Sequence, residues 1–247
     1  MVGNRPALLA GEACATITDR RLIIIYNNYH IGIFTYMRFD HLLKTVGGLP
    51  FFDLALIAQL SGEPRSQLLV QLHRWVKAGK VLALRRGLYT LADPYRRVFL
   101  SPLRVANELC RPSYLSGIWA LGFYGLIPEK VTLFSSATTR ATHSFHNPFG
   151  TFCYSSLKKE FFWGFSARTI QGSEVWIADP EKALLDFWHL RRGEWTQDRL
   201  REMRFQHNVD MDKLGEFARR WGAPRLGRTA SRYQELAGAA QEGAAAL

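Results

Sequence analysis

Gly48–Gly62 reads GLPFFDLALIAQLSG, Glu63–Lys80 reads EPRSQLLVQLHRWVKAGK, and Val81–Leu91 reads VLALRRGLYTL. These three runs decide the fold of the N-terminal half. Asp53 is placed to cap a first short helix carrying Leu54, Leu56, Ile57 and Leu60, and Ser61-Gly62 supplies turn chemistry after it. Pro64 suits the opening turn of a second helix, where a missing N–H costs little. From Val81 the period changes to two, with a turn at Arg85-Arg86-Gly87 and a return run Leu88–Leu91, which predicts a small hairpin.

In the second helix Leu68, Leu69, Leu72, Trp75 and Val76 form one apolar stripe at helical period. Ser66, Gln67, Val70, His73, Arg74 and Lys77 then point away from it, with Arg65 and Gln71 on its flanks. Gln and Arg can each reach two atoms of a base edge in a major groove, and Val70 can touch a thymine methyl. Arg85 and Arg86 at the hairpin tip suit phosphates. A helix pair followed by a basic two-stranded wing resembles the winged helix-turn-helix family of bacterial regulators over about residues 38–92. The resemblance implies double-stranded operator DNA as partner. Gln67, Gln71 and Arg74 would contact the bases, Lys77, Arg85 and Arg86 would hold the backbone, and Ser66 and Val70 complete the DNA-binding set.

Charge is concentrated on the same stretch. The net charge is +11 over 247 residues, and residues 37–100 hold ten Lys and Arg against four Asp and Glu. Such an excess favours an anionic partner without choosing its kind. A hydrophobic share of 47% excludes a mainly disordered polymer. Cys14, Cys110 and Cys153 are odd in number and lack a CxxC pair, so a reducing cytoplasm is the expected setting, without a disulfide framework or zinc site. No apolar run approaches the roughly 20 residues of a membrane span, because Leu22–Tyr26 is broken at Asn27-Asn28. RLIIIYNNYHIGIFTY reads as two extended runs about that Asn pair. Met37 stands directly before RFDHLLKTVGG, the expected first helix of the winged domain, so residues 1–36 are expected to be an upstream extension from a misassigned start.

Asp93-Pro94 should end the hairpin, and residues 94–100 form a short basic linker. A second, α+β domain is expected over residues 101–236, ending in a small helical bundle, with residues 237–247 as a flexible Gly/Ala-rich tail. Ser101-Pro102 opens one helix and Ser116 caps another. Strands are expected at Val131–Phe134, Thr142–Phe145, Thr151–Tyr154, Ala167–Ile170 and Glu174–Ile177. Asp179-Pro180-Glu181 starts a further helix, with Asp179 as cap, Glu181 at the positive dipole end and LLDFWHL in the core. Two helices follow, from Thr196 to about Gln206 and from Asp210 to Trp221.

The winged domain ending in RRGLYTL, the segment YLSGIWALGFYGLIPE at Tyr114–Glu129 and the segment EVWIADPEKALLDFW at Glu174–Trp188 together resemble the AbiE-type antitoxins of bacterial type IV toxin-antitoxin systems. The resemblance covers about residues 38–225. It implies a cytoplasmic regulator that represses its own operon, and a C-terminal domain that counteracts a nucleotidyltransferase toxin.

Catalytic patterns are absent from the sequence. There is no GxxxxGK[ST], GxSxG, HExxH or Gly-rich phosphate loop. His143 and His146 form an HxxH pair without further ligands, so no metal is expected. Glu181 and Asp186 diverge by roughly 140° on one helix and do not make a carboxylate pair. Phe161–Phe165 beside Lys158-Lys159 could stack on bases, but reads first as core. The expectation is a non-enzymatic DNA-binding regulator without cofactor, and the alternative is a protein-interaction module or a regulator without a toxin partner.

Overall fold

A computed structural model describes residues 14–18, 21–26, 29–35, 37–191, 193–205 and 209–245. The chain divides into two compact units, Met1–Phe99 and Leu100–Leu247. In the first, β1 (Cys14–Thr18), β2 (Arg21–Tyr26) and β3 (Tyr29–Thr35) form an antiparallel sheet in that order. The two runs expected about Asn27-Asn28 are β2 and β3, and β1 adds a third. The reading of residues 1–36 as an added extension falls in part outside the described residues.

Then follow α1 (Phe39–Val46), β4 (Phe52–Asp53), α2 (Leu54–Ser61), α3 (Arg65–Lys77), β5 (Val81–Arg85) and β6 (Leu88–Leu91). Asp53 caps α2 as its sequence position indicates, accepting from the Leu56 N–H at 2.7 Å. Gly62 closes that helix with φ +69°. The hairpin β5–β6 turns at Arg86-Gly87, where φ of +81° favours glycine. Alternation did not reveal β4, which pairs with β6 through Phe52↔Tyr89 and completes a three-stranded sheet. Leu42, Val46, Phe52, Ile57, Leu68, Leu72, Val81 and Leu91 close the core beneath the helices.

Residues 94–97, expected as linker, belong to this unit. A 3-10 turn covers Asp93–Tyr95, and Tyr95 meets Phe39 edge-on at 5.0 Å. Arg96 ion-pairs with Asp93 and donates to the Leu91 and Val98 carbonyls, while the Arg97 N–H donates to the Gly47 carbonyl at 3.1 Å. The break between units comes at Phe99–Leu100.

The second unit is α+β with a helical C-terminal region. Its elements are α4 (Pro102–Leu109), β7 (Ser113–Leu115), α5 (Gly117–Phe123), β8 (Phe134–Thr138), β9 (His143–Asn147), β10 (Gly150–Ser156), β11 (Phe165–Ile170), β12 (Ser173–Ala178), α6 (Pro180–Leu190), α7 (Gln197–Arg201), α8 (Met211–Trp221) and α9 (Pro224–Ala245). One mixed sheet runs in the order β11-β12-β7-β8-β10-β9. β7 is antiparallel to β8, with Tyr114 opposite Ala137, and β8 is parallel to β10, with Ala137 opposite Ser155. Successive strand residues face opposite ways, so Tyr114 and Tyr154 lie on opposite faces. Tyr154 donates to the Ala106 carbonyl of α4 and Tyr114 to Asp186 of α6. Thus α4 covers one face and α6 the other.

The strand expected at Val131–Phe134 begins only at Phe134, where pairing with β10 starts. Residues 237–245 of the expected tail are instead the last part of α9. Leu226, Ala230, Tyr233 and Ala237 are buried at i, i+4, i+7 and i+11, an apolar stripe built largely from small residues. The helix expected from Thr196 to Gln206 is shorter, Gln197–Arg201, and residues 206–208 lie outside the described residues. Among the described residues no helix is long and apolar enough to cross a membrane.

Candidate functional site

The outer face of α3 and the tip of β5–β6 carry the residues singled out by sequence. Ser66, Val70, His73, Arg74 and Lys77 are exposed, and so are Arg65, Arg85 and Arg86, whereas Gln67 is half-buried. Spacings of i, i+4, i+7, i+8 and i+11 place the first five on one stripe of the helix. Arg85 donates to the Arg86 carbonyl at 3.1 Å, which folds its guanidinium back over the turn.

Gln71 departs from this picture and is a correction. Its exposure is 7%, and its amide donates to Glu63 at 3.4 Å. Leu69, expected in the apolar stripe, is instead 49% exposed. The buried side of α3 is Leu68, Gln71 and Leu72, with Trp75 and Val76 half-buried. On an ideal helix Leu69 and Gln71 stand roughly 75° and 85° to either side of the Leu68–Leu72–Trp75–Val76 axis, so a small rotation decides which goes inside. Glu63, in the turn before α3, gives Gln71 a partner. Gln71 is therefore removed from the exposed face.

The electrostatics of this unit are lopsided for a local reason. Each of its four acids after residue 36 is occupied: Asp40 by Arg38 at 3.3 Å, Asp53 by the α2 cap, Glu63 by Gln71, and Asp93 by Arg96. Lys80 is drawn away as well, its ammonium lying 4.9 Å from the centre of the Phe39 ring. Among the described residues, no ion pair engages Arg65, Arg74, Lys77, Arg85 or Arg86. Five unpaired cations on one helix and one hairpin tip make a surface suited to a polyanion. Leu69 and Val70 of α3 are also exposed, at 49% and 53%, and Leu60 of α2 is 51% exposed.

A second concentration of polar chemistry lies inside the other unit, and sequence reading passed over it as apolar core. Lys182 and Asp186, one turn apart on α6, form an ion pair with no exposure to solvent. The Lys182 ammonium also donates to the Tyr114 hydroxyl at 2.8 Å. The other Asp186 oxygen accepts from Tyr114 at 3.0 Å and from Ser116 at 2.6 Å. The rings of Trp221, Tyr114 and Trp163 surround the ammonium at 4.6, 5.3 and 5.4 Å. Gly164, with φ +71°, leaves room for the Lys182 stem, since a Cβ there would sit 3.1 Å from it.

Burial pulls the Lys182 ammonium below its ordinary range although Asp186 opposes this, and burial with the Asp186 charge pushes the Tyr114 phenol up. Lys182, Asp186 and Tyr114 have no exposure to solvent, while Trp163 is half-buried. Lys182 and Asp186 thus form a fixed internal pair.

This network also corrects both cap assignments. Ser116 stands at the N-cap of α5, and Asp179 at that of α6, but neither side chain bonds the helix. The Ser116 hydroxyl goes to Asp186, and Asp179 accepts from Lys213 at 3.1 Å and Arg168 at 3.2 Å. Glu181 is buried, accepts from the Asp210 N–H at 2.9 Å and ion-pairs with Lys213 at 3.2 Å. Burial lowers the Lys213 ammonium, but its hydrogen bonds to Asp179 and Glu181 outweigh this and raise it overall.

His143 and His146 are both exposed, and three positions apart on β9 they face opposite ways. His146 is held to the Thr151 hydroxyl at 3.1 Å. Among the described residues no group of three or more His, Cys, Asp or Glu could hold a metal ion. Phe161 stacks on Trp221 at 4.6 Å and Trp163 meets Phe217 edge-on at 4.9 Å, so the aromatic run packs on α8 while staying half-buried. No family model matches the chain, and no curated protein is similar to it in sequence.

Proposed function

We propose that residues 37–93 form a winged helix-turn-helix that binds double-stranded operator DNA, with α3 in the major groove and the β5–β6 tip on the backbone. The single observation that carries this reading is the set of unpaired cations, Arg65, Arg74 and Lys77 on α3 with Arg85 and Arg86 on the hairpin, beside acids that are all engaged elsewhere. Ser66, Gln67, Val70 and Arg74 are the base-facing set. Binding of the protein's own promoter fragment, followed by fluorescence anisotropy across salt concentrations, tests it. Replacing Arg74, Arg85 and Arg86 together by Ala should abolish tight binding and, through the two backbone contacts of Arg85 and Arg86, lower the slope of log affinity against log salt by roughly 2. Unchanged affinity in a folded triple variant would refute the placement.

The antitoxin role rests on the resemblance of Tyr114–Glu129 and Glu174–Trp188 to AbiE-type antitoxins. In this reading the protein is a cytoplasmic repressor without catalytic activity, and the second unit counteracts a nucleotidyltransferase toxin. Co-expression with a nucleotidyltransferase encoded in the same operon should restore growth, and removal of residues 101–247 should abolish the rescue. Rescue by residues 37–100 alone would sink that division of roles. A protein-interaction surface is the second reading, favoured by exposed Leu60, Leu69 and Val70. Failure to bind promoter DNA at low salt would select it.

A further inference from the structure

The six-stranded sheet of the second unit is thinly joined between β12 and β7. Parallel strands β7 and β12 meet at one residue pair, Leu115↔Ile177. Immediately before it, where Tyr114 and Trp176 would be the next pair, Asn107 of α4 satisfies β12 instead. Its amide donates to the Trp176 carbonyl at 3.2 Å, and its side-chain oxygen accepts from the Trp176 N–H at 2.7 Å. A side chain thus stands in for a strand, and the space beside it is a cavity of about 490 Å³.

The lining comes from both faces of the sheet. By register, Trp176 and Phe165 share the face of Tyr114, while Ser113 lies on the α4 face. Phe162 and Phe165 meet at 4.9 Å, and Phe165 meets Trp176 edge-on at 6.0 Å. Trp176 keeps 46% of its surface exposed, so one wall opens to solvent. On the α4 face of β7, the Ser113 side-chain oxygen is buried and has no hydrogen-bond partner among the described residues. A buried hydroxyl without a partner is costly and calls for one. The charge at the rim, Arg111, is already ion-paired with Glu108.

We infer that this gap is a binding site for a neutral, planar heteroaromatic molecule of purine or indole size. Three aromatic walls favour a flat ring. The one unsatisfied polar atom is a neutral hydroxyl, which selects a ring edge bearing a donor or acceptor. The neutralised rim gives no net attraction for an anion. The volume falls within the range of about 300–1,000 Å³ usual for small-molecule pockets. Phe162 and Phe165 also pack on Tyr114, at 5.1 and 4.2 Å, so an occupant would press on the ring that holds Lys182 and Asp186. This inference does not depend on the DNA-binding reading.

Calorimetric titration of the full chain with adenine, indole and benzoate tests it. Adenine and indole should bind and benzoate should not. Trp176→Ala should weaken adenine binding about tenfold, and Ser113→Ala about fivefold through loss of one hydrogen bond. Intermolecular proton contacts between adenine and the Trp176 indole, measured by NMR on the unaltered chain, give a reading independent of any variant's folding. No heat with either bicyclic ring at millimolar concentration, adenine contacts that avoid Trp176, or benzoate binding as tightly as adenine would each overturn the inference.

Discussion

The molecule uses its cations in two opposite ways. On α3 and the β5–β6 tip, Arg74, Lys77 and Arg86 are exposed and have no acidic partner among the described residues. On α6, Lys182 has no exposure and is held by Asp186, Tyr114 and three rings. The difference teaches that a basic residue's role follows from its surroundings. An exposed cation costs little to keep and is free to attract an anion, whereas a buried one has lost its hydration and must be answered by fixed partners. Net charge therefore describes the first region and says nothing of the second.

The largest effect expected from breaking this contrast is at Lys182. Lys182→Met leaves Asp186 charged and buried and should destabilise the second unit by about 3–5 kcal/mol, whereas the double change with Asp186→Leu should recover more than half of that. Thermal or denaturant unfolding of both variants measures it. A double variant no better than the single one would mean that shape, and not charge pairing, matters at this place. The Arg74, Arg85 and Arg86 triple variant should by contrast stay within about 0.5 kcal/mol of the parent per site, while its promoter affinity falls.

Two effects of about 1 kcal/mol come next. Asp53→Ala removes the α2 cap and should cost about 1 kcal/mol of the first unit's stability. Tyr124, whose hydroxyl donates to the Ala178 carbonyl at 2.7 Å, is pushed up to about 12 by burial. Since its ionised form is disfavoured in the folded state, its stabilising contribution is complete below about pH 10 and is lost as pH rises through about 12. Allowing for its partial exposure, the contribution is about 1 kcal/mol. Tyr124→Phe should flatten the alkaline limb of a stability–pH curve, and an unaltered limb would remove Tyr124 from it. The smallest effect is at Gln71, whose side-chain oxygen is buried without a partner. Gln71→Leu should leave both stability and promoter affinity nearly unchanged, and a relaxed base preference would return Gln71 to the DNA.

What sequence could and could not reveal divides along the same line. The Asp53 cap, the turn at Ser61-Gly62 and the Arg-tipped hairpin are local devices, and all three appear where residue order placed them. The choice between Leu69 and Gln71 turned on Glu63 as a partner, which helical period cannot weigh. Lys182 and Asp186 were readable as an i, i+4 pair, but Tyr114, Trp163 and Trp221 come from distant segments. α9 was legible in principle through Leu226, Ala230, Tyr233 and Ala237. The small size of two of these hid the stripe beneath the Gly/Ala composition.

The sealed cluster has a kinetic consequence. Its cage draws on Tyr114, Trp163, Lys182 and Trp221, so Lys182 keeps a missing wall until the last of these has left the ribosome. The first unit after residue 36 is complete once Arg97 is made. At about 5–20 residues per second, on the order of 10 s separates the two events. The surface with the unpaired cations can thus be folded while the second unit's lysine is still wet, and the order of synthesis becomes an order of assembly.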